Sequence, residues 1–117
     1  MTRHLFMIIT GGPPADQAEA VEDWYVNRHM RDVLAVPGFT AGQRFRLAPD
    51  PEAGERFITI YEMECEDRNA VIAEVRRRAG TDLMPLFPDE HGGPRTTLFG
   101  EAVTDRMLSP LAKNADM

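Results

Sequence analysis

Apolar positions along the chain follow two rhythms, and where one gives way to the other marks the elements. The segment HLFMIIT, from His4 to Thr10, is apolar at both alternating positions and runs into Gly11-Gly12-Pro13-Pro14. That pattern predicts a strand covered on both faces, followed by a turn. From Ala15 to about Leu34 the period lengthens to that of a helix, with Asp16, Glu19, Glu22 and Asp23 early and Arg28 and Arg31 late. This charge order suits the helix dipole. Val36 precedes Pro37 and is pushed toward extended geometry, so the helix must end just before Pro37-Gly38. A second strand is expected from about Phe39 to Leu47, an exposed hairpin loop over APDPEAGE, and a third strand over RFITIYEMEC, with Phe57, Thr59, Tyr61 and Met63 on one face.

Asp67 is placed to cap a second helix running to Ala79, with Val71 and Val75 one turn apart, Glu74 four before Arg78, and Gly80 at the stop. The segment from Thr81 to Pro94 mixes Leu83, Met84, Leu86 and Phe87 with prolines and acids, and reads as a loop that covers a cavity or a partner. Arg95 to Thr104 forms the expected last strand. Residues 1–106 then make one domain, with 107–117 as a C-terminal tail.

Strand, helix, strand, strand, helix, strand is the βαββαβ order of a ferredoxin-like α+β sandwich. Two helices cover one face of a four-stranded antiparallel sheet. The other face, also apolar, needs cover from outside the chain, and a second copy packed sheet to sheet, with a cavity between, is the simplest source.

Composition narrows the functional classes. With 117 residues and 43% hydrophobic content there is one core. A net charge of −6, with the only basic run at Arg76, Arg77 and Arg78, argues against nucleic acid. No apolar run is long enough for a membrane span or a signal segment, and the single cysteine, Cys65, allows no internal disulfide and no thiolate zinc site. The protein is expected to be soluble and cytoplasmic. The three histidines, 4, 29 and 91, lack metal-ligand spacing, and no nucleotide fingerprint is present, so neither a metal nor a tightly bound cofactor is expected.

The strand RHLFMIIT, then WYVNRHMRDVLAVPGF, then RFITIYEME together resemble the EthD-like branch of the dimeric α/β-barrel superfamily. The specific part is the aromatic pair at 24 and 25, His29, and Pro37-Gly38 that follows. The resemblance implies a homodimeric α/β barrel. It also brings to mind the superfamily's chemistries: muconolactone-type isomerases, polyketide cyclases, monooxygenases and haem-degrading enzymes. His29 stands where the isomerase relatives carry a helix histidine. Their tyrosine four residues beyond the Pro-Gly glycine is here Gly42. His4 stands near a first-strand histidine of the polyketide cyclases.

On a 3.6-residue period His29 shares a face with Tyr25, Ala18, Val21 and Val33, which predicts a partly buried imidazole. Two uses fit it: a structural histidine bonding carbonyls at the helix end, or a proton-transfer group titrating near neutrality. Asp32, three residues on, either orients the ring or is a surface charge. Trp24 and Tyr25 serve packing or ligand contact. His4, Phe57, Thr59 and Tyr61 are expected to face the intersheet cavity, where a phenol and an imidazole above an apolar floor suit acid/base work or simply fill a dimer core. Arg44 and Arg46 bind a substrate carboxylate or are solvated edge charges. His91 and Phe87 lie in the covering loop.

The function expected is a cofactor-independent isomerase, lyase or cyclase acting on a hydrophobic carbonyl-bearing small molecule of aromatic or polyketide-type metabolism, bound in a cavity between sheet and helices. His29, Tyr61 and His4 would be catalytic, with Trp24, Tyr25, Arg44, Phe57, Thr59, Phe87 and His91 contacting substrate. The alternative is a non-catalytic ligand-binding dimer. A cofactor-free monooxygenase or haem-binding protein is the third class.

Overall fold

A computed structural model describes residues 1–13, 15–86 and 95–111. Its order is β1 (Thr2–Gly11), a 3₁₀ turn (Ala15–Gln17), α1 (Ala18–Trp24), a π-turn (Tyr25–His29), α2 (Met30–Leu34), β2 (Phe39–Arg46), β3 (Arg56–Cys65), α3 (Arg68–Arg78) and β4 (Thr96–Glu101). The four strands form one antiparallel sheet in the order β2-β3-β1-β4. This is the ferredoxin-like α+β sandwich that the pattern predicts.

Local chemistry explains where the elements stop. Asp67 caps α3, its carboxylate accepting a hydrogen bond from the Ala70 amide at 3.2 Å. Gly80 ends it with φ of 82°. Gly38 takes φ of 109°, and a Cβ there would meet Val71 Cγ2 at 2.8 Å. The turn after α2 thus needs glycine both for its backbone and for the close approach of α3. Gly38→Ala should lower stability by about 1–3 kcal/mol in urea unfolding, with the fold retained.

The core lies between the helices and one face of the sheet. Tyr61, Met63, Val33, Val36 and Met84 are each 2% exposed or less, joined by Phe6 and Ile72. Phe6 stacks on Tyr61 at 5.8 Å and on Phe99 at 5.3 Å, and Phe39 meets Tyr61 edge-on at 5.7 Å. Register assigns the faces, because paired residues share one. Phe6 pairs with Tyr61 and Phe99, and Thr59 with Arg44, all toward the helices. Met7 pairs with Ile60 and Leu98, and Ile58 with Ile9 and Phe45, all on the opposite face.

This assignment corrects one expectation. His4, Phe57, Thr59 and Tyr61 point under the helices of their own chain and not into a space between two sheets. All four are buried without a partner chain. The opposite face, which the described residues leave only partly covered, carries the other half of the alternation. Of the expected covering loop, Thr81–Leu86 is described, and Met84 there is anchored in the core, while Leu83 and Leu86 are more than half exposed. Phe87 and His91 lie outside the described residues.

Candidate functional site

Where α1 would run straight on, the chain opens into a π-turn in which the Met30 amide donates to the Tyr25 carbonyl, five residues back. In a regular α-helix residues five apart sit roughly 140° apart around the axis. The wider turn brings them nearly into line. Trp24 and His29 therefore stack, ring centres 4.6 Å apart and planes 22° apart. Tyr25 meets Trp24 at 4.8 Å and His29 edge-on at 5.6 Å. Such turns recur at functional sites. No 3.6-residue reading anticipates this one, although the five-residue spacing of Trp24 and His29 is its trace in the sequence.

His29 is half-buried, and its Nδ1 is shut away from solvent with no hydrogen-bond partner among the described residues. Burial, with the cations of Arg95 and Arg44 adding to it and the Asp32 carboxylate opposing, brings its pKa down to about 4. The imidazole is therefore neutral at physiological pH and does not titrate near neutrality as the sequence suggested. Asp32 does not orient the ring by a hydrogen bond; its carboxylate takes one from Arg28 Nε at 2.7 Å.

Beneath the π-turn, Arg44 on β2 links both layers. Its side chain is only 7% exposed. Nε and an Nη donate to the Glu22 carboxylate at 3.0 and 2.8 Å, and the other Nη donates to Thr59 Oγ1 at 3.0 Å. The guanidinium lies 3.9 Å from the Tyr25 ring centre and 4.6 Å from that of Phe57. Arg44 is thus neither a solvated edge charge nor open to a substrate carboxylate, because Glu22 already fills that place. Arg46 pairs loosely with Glu55 at 3.6 Å and is 69% exposed, as an edge charge should be. Glu22 is the residue that sequence reasoning missed: it read as one more acid of the first helix, and its partner lies 22 positions away on another element.

Tyr61 completes the cluster. Burial, reinforced by Tyr25 and opposed by Arg44, raises its pKa well above the ordinary phenol value, so its hydroxyl stays protonated. Gly42, paired with Tyr61 across β2 and β3, explains the missing tyrosine. A Cβ at 42 would stand 3.0 Å from Tyr61 Cδ1, so the Tyr61 ring occupies the space that a side chain at 42 would need.

The structure brings His29, Trp24, Tyr25, Arg44, Phe57, Thr59 and Tyr61 together. It sets His4 apart: Phe6 holds the β1 position beside Tyr61, and His4 lies two residues nearer the strand's start, roughly 7 Å away. His4 is paired across to Met63 and Glu101, and its Nδ1 is also buried without a partner among the described residues. Among those residues no three His, Cys, Asp or Glu side chains are grouped to hold a metal ion, and no helix is long and apolar enough to cross a membrane.

The order of the elements and the sheet topology define a ferredoxin-like α+β fold. No protein-family model and no curated protein matches the sequence. Among solved structures the chain is similar to the haem-degrader MhuD of Mycobacterium tuberculosis, solved with two haems in its active site. The match has 21% identity and a TM-score of 0.55, over 88% of this chain and 99% of that one. It is also similar to an EthD family protein of Bacillus halodurans, at 22% identity and TM-score 0.51 over 87% and 99%. A third likeness is to a candidate monooxygenase of Shewanella loihica, at 18% and 0.51 over 92% and 99%. These identities establish the shared fold, and the EthD-like resemblance holds at that level.

Proposed function

We propose that this chain is a small-molecule enzyme that moves a proton at His29 on a hydrophobic, carbonyl-bearing substrate, and that it works as a homodimer joined through the uncovered sheet face. The observation that carries the reading is a neutral imidazole on a π-turn, with one nitrogen unpartnered among the described residues, edge-on to the Tyr25 ring. His29 takes a proton from the carbon next to the carbonyl. The electrons of the broken C–H bond pass to the carbonyl oxygen, where a phenol that stays protonated stabilises the enolate by a hydrogen bond. Return of the proton to a different carbon completes an isomerisation; loss of a β leaving group completes an elimination. Trp24, Tyr25 and Phe57 supply the apolar surroundings, and His4 takes no part.

The test begins with the small molecule retained by purified protein, identified by mass spectrometry. Incubated in D₂O with the enzyme, it should gain deuterium at the carbon next to its carbonyl, and His29→Gln should abolish that gain. A retained carbonyl compound that never exchanges would overturn the reading in favour of a binding dimer.

One observation favours a second reading, haem binding: a neutral imidazole is the form that would ligate iron, and His29 is neutral with Nδ1 unpartnered among the described residues, although that nitrogen is shut away from solvent. The fit is incomplete, since Arg44, the cation a propionate would seek, is held by Glu22. Hemin titration with a Soret shift that His29→Ala removes would establish it.

A further inference from the structure

Register puts Thr97, Phe99 and Glu101 of β4 on the helix side of the sheet, paired with Ile8, Phe6 and His4. Arg95, one residue ahead of the strand, falls on the same row by alternation. Since α2 packs on β2 and α3 on β3, the described residues leave this row open: Arg95 and Thr97 are exposed, and Phe99 is 38% exposed. At one end the Arg68 guanidinium lies 4.5 Å from the Phe99 ring centre and is engaged by it. At the other end stands Arg95. Arg44 is enclosed and neutralised by Glu22, whereas Arg95 has no ion pair or hydrogen bond among the described residues, in a chain of net charge −6. Its charge nevertheless reaches the site: of the charges that act on His29, that of Arg95 weighs most, ahead of Asp32 and Arg44.

We propose that Arg95 anchors a carboxylate of the substrate, so that the molecule this site takes is a hydrophobic oxo acid lying along the helix-side row of β4 from Arg95 over Ile8 toward Phe99. The inference rests on the proton-transfer reading above and names its substrate class. A guanidinium offers a carboxylate two parallel N–H donors, and Thr97, next on the same row, adds a hydroxyl. With Arg68 engaged by a ring, the row presents one unshared fork and one charge, which match the two oxygens of a carboxylate better than the three of a phosphate dianion. Glu101 closes the far end of the row and would repel a carboxylate placed there, which sets the direction in which the molecule lies. Occupation of Arg95 also alters the base. A free cation near His29 opposes its protonation, and a carboxylate seated on Arg95 cancels that charge, so the imidazole accepts a proton more readily once substrate is bound.

The test measures binding and so does not depend on turnover. Hydrocinnamate, an apolar ring on a short carboxylate arm, and its neutral amide are titrated into the full chain at low ionic strength. Affinity is read from the indole N–H resonance of Trp24, the only tryptophan and the ring stacked on His29. Wild type should bind the acid about fivefold more tightly than the amide, or better, as one exposed but bidentate ion pair allows. Arg95→Met should erase that preference and leave the affinity for the amide unchanged. Arg76→Met, which removes the same charge from an exposed position of α3, should keep it. Both positions are exposed, so circular dichroism should show an unchanged fold. A preference that holds while the retained molecule shows no deuterium exchange would overturn proton transfer at His29 and leave the Arg95 anchor standing. Equal affinities for acid and amide in wild type, a Trp24 resonance that neither probe moves, or a preference that survives Arg95→Met would each overturn the anchor.

Discussion

His29→Gln should lower turnover on the identified substrate by about 10²- to 10⁴-fold, the usual share of a general acid or base, without loss of the folded state. Glutamine keeps hydrogen-bonding capacity and cannot take up a proton near neutral pH. A purely structural role would therefore leave turnover largely intact. The pH profile adds a second mark. With the pKa of His29 held near 4, the base form is present across the ordinary range, and the acid limb of kcat/KM should fall near pH 4. A limb near 6.5, the value of an unperturbed histidine, would assign the base elsewhere.

The same residue makes stability depend on pH. Its pKa is about 4 when folded and 6.5 when free, so between those values the unfolded chain binds the extra proton and the folded chain does not. Stability is undiminished above about pH 6.5, declines as pH falls through that value, and the loss is complete below about pH 4. The shift corresponds to a penalty on the order of 3 kcal/mol. Urea unfolding at pH 7 and pH 4.5 should show this decline in wild type, and a shallower one in His29→Gln.

The fold was legible in the sequence because its signals are local. The run HLFMIIT, the Asp67 cap, Pro37-Gly38 and the alternation of RFITIYEMEC each act within a few residues, and each element lies where they put it. Alternation identified the set Phe57, Thr59, Tyr61 and Met63 correctly but could not say which face the helices cover. Period two separates two faces and labels neither. The site was partly legible for the same reason. His29, Tyr25 and Trp24 are neighbours in sequence, but the π-turn that stacks them departs from the assumed period. The lowered pKa of His29 comes first from burial and then from the charges of Arg95 and Arg44, which are far from it in sequence. Glu22 and Arg44 meet only after the helix is laid on the sheet, and a charge on a strand or a helix reads as solvated until its partner is known.

That pair should also give the largest single loss of stability, and from its more exposed member. Glu22 is 39% exposed and Arg44 is 7% exposed. Removing the carboxylate by Glu22→Ala leaves a guanidinium enclosed beneath Tyr25 and Phe57 with only Thr59 Oγ1 for a partner. Loss of one partner from a buried pair costs about 3–5 kcal/mol. The two ring faces return part of that, so the upper figure is a ceiling. Arg44→Met should cost less, on the order of 1–3 kcal/mol: its stem still covers the rings, Glu22 can rehydrate, and the main loss is the unpaired Thr59 hydroxyl, itself 2% exposed. The double variant, Glu22→Ala with Arg44→Met, buries no charge and should be more stable than Glu22→Ala alone. Urea unfolding of the three variants closes the cycle, and the single-variant losses should exceed the double by more than 1 kcal/mol. A Glu22→Ala chain that unfolds within about 0.5 kcal/mol of wild type would mean that the guanidinium finds water when released. The Arg44 contact would then be worth no more than an exposed ion pair.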